Sequence, residues 1–197
     1  MEALFDTSFL SWNIRGAQNN NARRHLKELI RRYNPTFLAI LETHVPFANL
    51  STFWNNNGYT PVHIIEAQGH SGGIWLLRLT NSNIHPTVLF TNQYSITFTI
   101  NRGNATTTCT SIYASPNSSL RPALWNYLSN ISHSIAGPWM MIDSTLITTL
   151  SFSALEDFHL TGDPDRSVLR QLGLTIMSTW IWSLNLGTLP ITMPSQP

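Results

Sequence analysis

The chain has 197 residues, enough for one domain, and 42% of them are apolar, enough for a sizeable core. Only 11% are charged, less than half the usual share for a soluble domain, and the net charge is +1, so Asn, Ser and Thr make up much of the polar surface. The single cysteine, Cys109, excludes an intramolecular disulfide and a cysteine-rich zinc site, and no apolar run approaches the ~20 residues of a membrane helix.

The first twelve residues carry Glu2 and Asp6 and no basic run, so they do not read as a signal peptide and an intracellular location is expected. Phe9–Ile14 reads as a short strand ending in Arg15-Gly16. Asparagines 19–21 can cap a helix, in which Leu26, Leu29, Ile30 and Tyr33 recur on one face and Asn34-Pro35 ends the run. Thr36–Leu41 is a near-continuous apolar run, the pattern of a strand buried on both faces, and Glu42-Thr-His44 follows it. Pro46 can start a short helix to about Asn56.

Strand signals then crowd together at Tyr59–Ile65, Gly73–Leu79, Ile84–Phe90, Tyr94–Ile100 and Thr106–Ala114, with Arg102-Gly103-Asn104 as a hairpin turn. Ser118–Ile135 reads as a helix and Trp139–Ile142 as another buried strand. The order of elements predicts a layered, mixed α/β arrangement and not a simple alternation. Beyond Ile142 the pattern fades, with a helix expected only at 153–159.

Polar residues at the ends of buried strands face the mouth of a sheet, where sites are built. Asn13, Glu42 and Tyr113 have that placement. Each alone has an ordinary explanation as a loop-satisfying amide, a solvated acid or a strand aromatic. Their flanking segments are more telling. Ser11-Trp-Asn-Ile-Arg-Gly16, Leu41-Glu-Thr-His44, Gly69-His-Ser-Gly-Gly-Ile74 and Ile112-Tyr-Ala-Ser-Pro116 occur in that order. In order and spacing they resemble the endonuclease/exonuclease/phosphatase superfamily, most of all the endonuclease domains of plant non-LTR (LINE-type) retrotransposons. The resemblance covers about residues 8–142, with 143–197 as a divergent tail.

That resemblance implies a DNase I-like fold, a two-sheet β-sandwich flanked by helices, here without its C-terminal elements and so of marginal stability. It implies phosphodiester hydrolysis with Mg²⁺ or Mn²⁺, with Glu42 and Asn13 at the metal and Tyr113 as a hydrogen-bond partner of the scissile phosphate. Mg²⁺ suits such a set, since it takes one or two carboxylates and fills its shell with water and phosphate oxygens. The family's Gly-Asp-Phe-Asn motif is absent, as Ile142-Asp-Ser-Thr stands in its place, and Asp143 is the candidate for its aspartate. The family's Ser-Asp-His is absent too.

The charge balance flips at the same point. Residues 1–142 carry nine Lys/Arg and five Asp/Glu, and 143–197 carry two and five. A tail read out of the ancestral frame, or one that replaces the ancestral segment, would explain both changes. Six of the early cations, Arg15, Arg23, Arg24, Lys27, Arg31 and Arg32, lie close together. They form a candidate footprint for non-specific DNA binding, although a solvated helix face would look the same.

Three readings follow. One is a retrotransposon-derived, Mg²⁺-dependent DNA endonuclease of reduced or absent activity, nuclear where functional. The second is a nucleic-acid-binding remnant that cuts nothing, and the third is a phosphatase for a small substrate. No membrane association and no obligate protein partner are implied.

Overall fold

The first parallel pair of strands sets the frame. The computed structural model describes residues 7–142 apart from 70, 104, 114–118, 120 and 138, together with the backbone of strands at 146–150 and 181–182. Strand β1 (Thr7–Asn13) lies parallel to β2 (Phe37–Leu41), with Phe9 opposite Phe37 and Asn13 opposite Leu41. Parallel strands need a crossover, and helix α1 (Asn20–Tyr33) supplies it. Asn19 caps that helix by accepting from the backbone N–H groups of Asn21 and Ala22 at 2.9 and 3.4 Å. Asn34 closes it in the left-handed region, φ 41°, and donates its N–H to the Ile30 carbonyl at 2.8 Å. Ser8 and Thr36 tie the strand entries together, each backbone N–H donating to the other's hydroxyl at 3.3 and 3.1 Å.

A 3₁₀ turn (Phe47–Leu50) runs into α2 (Ser51–Asn56), where the sequence suggested one helix. Strands β3 (Tyr59–Ile65) and β4 (Ile74–Leu79) complete an antiparallel edge on β2. The second sheet is built from β5 (Thr87–Asn92), β6 (Ser95–Arg102) and β7 (Ala105–Ile112), joined in antiparallel order. Helix α3 (Arg121–Ser132) then crosses to β8 (Trp139–Ile142), which pairs parallel to β7. The fifth strand starts at Thr87 and not at Ile84, because Pro86 has no N–H for a ladder. The third helix starts at Arg121, three residues later than expected, with Pro122 in its first turn, where a missing N–H costs nothing.

Two five-stranded sheets result, ordered β3-β4-β2-β1-β9 and β10-β8-β7-β6-β5. Strand β9 (Leu146–Leu150) returns to the first sheet beside β1, with Leu146 opposite Ser11, and β10 (Ile181–Trp182) pairs with β8. Neither was visible as a period in the sequence. The helix expected at 153–159 lies outside the described residues.

Side-chain alternation sorts the core into three layers. Phe9, Phe37, Leu41, Ile74 and Leu76 of the first sheet meet Ile96, Phe98, Cys109, Met140 and Ile142 of the second. Phe9 stacks on Phe37 with centroids 5.1 Å apart, and Phe98 of the opposite sheet lies 6.3 and 5.9 Å from the two rings. The outer face of the first sheet, with Leu10, Trp12, Leu38, Ile40 and Trp75, is covered by Leu26, Leu29 and Ile30 of α1 and Trp54 of α2. The outer face of the second packs Ile112 and Trp139 against Leu124, Leu128 and Ile131 of α3. The arrangement is helix, sheet, sheet, helix, as the DNase I-like expectation required.

Candidate active site between the sheets

Both parallel pairs send their C-terminal strand ends into loops that carry polar residues. Asn13 is the last residue of β1, Glu42 follows β2 and Tyr113 follows β7. Asp143 follows β8 in sequence and lies outside the described residues. The mouth between the sheets therefore gathers three of the four sequence candidates.

Past their last paired residues, the two strands of the first sheet continue as a zipper. Ile14 N–H donates to the Leu41 carbonyl at 2.9 Å, Gly16 N–H to that of Glu42 at 2.8 Å, and Ala17 N–H to that of Thr43 at 2.8 Å. Asn13 Oδ1 accepts from the Arg15 N–H at 3.1 Å, which fixes the amide and leaves a second lone pair on that oxygen.

Glu42 owes its position to its backbone. Alternation along β2 puts Leu38 and Ile40 on the helix side and Phe37 and Leu41 in the inter-sheet core, so regular continuation would turn residue 42 toward the helices. Instead Glu42 has φ 54°, a left-handed conformation that costs an ordinary residue about 1–2 kcal/mol. The turn brings its carboxylate to the phenol of Tyr113, which belongs to the inter-sheet core. The Tyr113 phenol is pushed up to about 12 by burial first, then by the Glu42 charge and the hydrogen bond it makes to that carboxylate, and by Tyr94. It therefore stays protonated and acts as a donor at any working pH. The Tyr113 N–H donates to the Tyr94 carbonyl at 2.8 Å, which holds the ring's backbone to the next strand of its sheet.

The glycine pair of the third motif now has a physical reason. Gly73 has φ 90°, and a Cβ there would overlap Thr43 Oγ1 and lie 3.2 Å from Ala67. The β3–β4 loop is thus laid directly on the residue after Glu42, and Gly72 lies 3.9 Å from the Tyr113 ring when measured from an ideal Cβ. Thr43, Ser11 and Ser111 are completely buried, and their hydroxyls have no hydrogen-bond partner. Ser11 and Ser111 lie two residues before Asn13 and Tyr113 on the same strand faces, so unpaired polar groups lie beneath the mouth. No sequence pattern marked the Thr43–Gly73 contact, although the Gly-Gly pair was its visible trace.

The basic residues divide into two places. Arg15 is exposed at the mouth. Arg23, Arg24, Lys27, Arg31 and Arg32 lie on α1, which covers the outer face of the first sheet. Arg23 donates to Asn20, and Arg23 and Lys27 lie 5.9 and 6.0 Å from the Phe53 ring centroid. Arg24 donates to Asn21 at 3.3 Å, and Arg32 lies 5.4 Å over Tyr33. Arg24, Lys27 and Arg31 line a shallow depression with Glu28, Asn34 and Asn57. The structure thus leaves Arg15 in the loop that follows Asn13, zipped against the segment of Glu42, and sets the other five apart on the helix layer.

Among the described residues no cluster of three or more His, Cys, Asp and Glu could hold a metal. Glu42 offers one carboxylate and Asn13 one amide oxygen, while Glu66 of the β3–β4 loop accepts from the Phe47 N–H at 3.1 Å. No helix among them is long and apolar enough to cross a membrane.

Two mixed sheets with helices on both outer faces, and polar strand ends gathered at one mouth, define a DNase I-like sandwich. Residues 10–144 match the endonuclease/exonuclease/phosphatase family model, and the chain belongs to that family. Among solved structures, it is similar to the endonuclease domain of TRAS1, a telomere-specific non-LTR retrotransposon. That match has a TM-score of 0.51 at 12% identity and covers 86% of this chain and 73% of that one. A second is ANGEL2, a 2',3'-cyclic phosphatase solved with adenosine-2',3'-vanadate, with a TM-score of 0.50 at 13% identity over 71% of this chain and 53% of that one. A third is the human Nocturnin catalytic domain with bound sulfate, at 0.49 and 15% over 70% and 63%. At such identities the likeness is one of fold. The chain spans between about half and three-quarters of these proteins' lengths. No curated protein sequence matches it.

Proposed function

We propose that this chain is a divalent-metal-dependent DNA endonuclease domain derived from a LINE-type retrotransposon of plant type, acting in the nucleus on DNA without strict sequence preference. The observation that carries the reading is the meeting of Glu42 and Tyr113 across the two sheets, one strand from Asn13. Family membership supplies the reaction class, and the retrotransposon endonuclease shares the fold.

Glu42 and Asn13 Oδ1 form a hard-oxygen pair that suits Mg²⁺ or Mn²⁺, which would complete its shell with water and phosphate oxygens. When bound, the metal supplies a Lewis acid for the phosphoryl oxygen and the leaving group. The chain's own residues do the rest. Asn13 holds its amide in one orientation through the Arg15 N–H. Tyr113, kept protonated, donates to an anionic oxygen, and such fixed donors matter most where charge develops. Asp143 is assigned the orientation of the attacking water.

A second reading is favoured by the small donor set: a mouth with no cluster of three or more His, Cys, Asp and Glu among the described residues suits binding of nucleic acid without cleavage. Plasmid nicking by the full chain separates the two. The assay is run with Mg²⁺, with EDTA, and with Glu42→Gln. Nicking that needs both the metal and Glu42 establishes the endonuclease. Retention of DNA with no nick establishes the binder, and release of phosphate from a small ester with DNA intact establishes a phosphatase instead.

A further inference from the structure

Four non-glycine residues among those described have left-handed backbone: Arg15 (φ 47°), Asn34 (φ 41°), Glu42 (φ 54°) and His44 (φ 59°). Asn34 closes a helix, a position where asparagine tolerates this conformation. The other three lie together in the zipper 13–17 against 41–44. Glu42 is turned toward Tyr113. Arg15 and His44 have no such inward partner. Neither side chain makes a hydrogen bond or an ion pair among the described residues, and Arg15 is exposed while His44 is half-buried.

Their placement is nevertheless fixed. Arg15 sits between buried Ile14 and Gly16, whose N–H is bonded to the Glu42 carbonyl. His44 follows Thr43, which is fully buried and bonded through its carbonyl to the Ala17 N–H. A Cβ on Gly16 would lie 3.8 Å from His44 Nδ1, so the imidazole lies over the glycine that follows Arg15. Strained backbone that is held by its surroundings and points polar groups outward is a mark of a ligand contact.

We propose that Arg15 and His44 form a phosphate clamp beside Glu42, which takes the phosphodiester next to the one being cut. The clamp rests on the endonuclease reading of the same mouth. A guanidinium carries five donors and no acceptor, and an imidazole carries at least one N–H donor, so the pair matches an oxygen-rich anion. The mouth also needs a cation. Glu42 repels a polyanion, and Arg15 is the sole Lys or Arg in segments 13–17, 41–47, 66–73 and 111–113. The five cations of α1 lie on the helix layer outside the first sheet and do not meet that need.

The test is equilibrium binding of a fluorescent 20-base-pair duplex to the full chain carrying Glu42→Gln, in EDTA, across a series of NaCl concentrations. Each phosphate contact made by a cation contributes about one unit to the slope of log affinity against log salt. Arg15→Ala is expected to weaken binding about tenfold and to lower that slope by about one. His44→Ala is expected to weaken it several-fold, and His44→Gln, which keeps a side-chain N–H, to restore most of the loss. Arg31→Ala on the outer helix is the charge control and is expected to change little. Thermal unfolding of each variant within a degree or two of the parent shows that the effect is not structural. Parental affinity and slope in Arg15→Ala and His44→Ala overturn the clamp, as does an equal loss in Arg31→Ala. If the wild-type chain nicks DNA while these variants bind as the parent does, the clamp alone falls. If the wild type neither nicks nor binds duplex, the endonuclease reading falls and takes the clamp with it.

Discussion

The molecule contains the same supersecondary unit twice. β1–α1–β2 in the first sheet and β7–α3–β8 in the second are both parallel pairs joined by a helix, and both helices cover the outer face of their own sheet. They differ at the strand ends. The first unit leaves β1 and β2 through left-handed residues Arg15, Gly16, Glu42 and His44, zipped together by three backbone hydrogen bonds. The second leaves β7 through Tyr113 with no positive φ at that residue, and its phenol reaches the site through ordinary strand alternation. One topology therefore supplies the site in two ways. The first sheet turns Glu42 inward by backbone strain, and the second offers a rigid donor from a packed core.

The comparison can be broken at either unit. The largest expected effect is at the strained end: Glu42→Gln should lower metal-dependent nicking about a hundredfold or more, comparable to the removal of one fixed transition-state donor. Its thermal midpoint should stay close to the parent's, because glutamine meets the same backbone constraint. A midpoint lowered by many degrees would make Glu42 a structural residue.

Next is Gly73→Ala. The added methyl group must displace Thr43 and adopt φ 90°, so a destabilisation of about 2 kcal/mol or more is expected in urea unfolding. Unchanged stability would show that the loop is not pinned on Thr43.

The third prediction concerns the rigid donor. Tyr113 ionises at about 10 when unfolded and at about 12 when folded. Between those values the unfolded chain has lost its proton while the folded one keeps it, so stability falls as pH rises from 10 to 12. The Tyr113 contribution is present in full below pH 10, with a slope of at most about 1.4 kcal/mol per pH unit above it. Tyr113→Phe should lower the slope there by up to that amount, with the remainder left by Tyr59 and Cys109, which burial also raises, and an unchanged slope would leave Tyr113 without a share.

The smallest effect is expected beneath the mouth. Ser111→Ala removes a buried hydroxyl without a partner and should be neutral or stabilising by up to about 1 kcal/mol. A loss of more than 1 kcal/mol would reveal a hydrogen bond to buried water.

Much of this protein was legible along the chain, and the residues show why. Local rules set α1, whose limits follow from Asn19 and Asn34, and they set Tyr59–Ile65 and Trp139–Ile142, where pattern and turn residues agree. The motifs placed Asn13, Glu42 and Tyr113 at strand ends. The failures lie where a contact distant in sequence overrode the local pattern. β9 exists by pairing with β1, whose partner residues are more than 130 positions away in the chain, and a run as weak as Leu146–Leu150 has no period of its own to announce it.

What the sequence determined by itself is the identity and order of the elements up to Ile142 and the residue types at their ends, because these depend on neighbours a few positions apart. Only the tertiary structure decided which way Glu42 faces, why residue 73 must be glycine, and that His44 lies over Gly16, the residue after Arg15, while the cations of the first helix lie elsewhere. Those outcomes depend on backbone dihedrals and on contacts between strands 30 to 70 residues apart, which no local pattern of amino acids encodes.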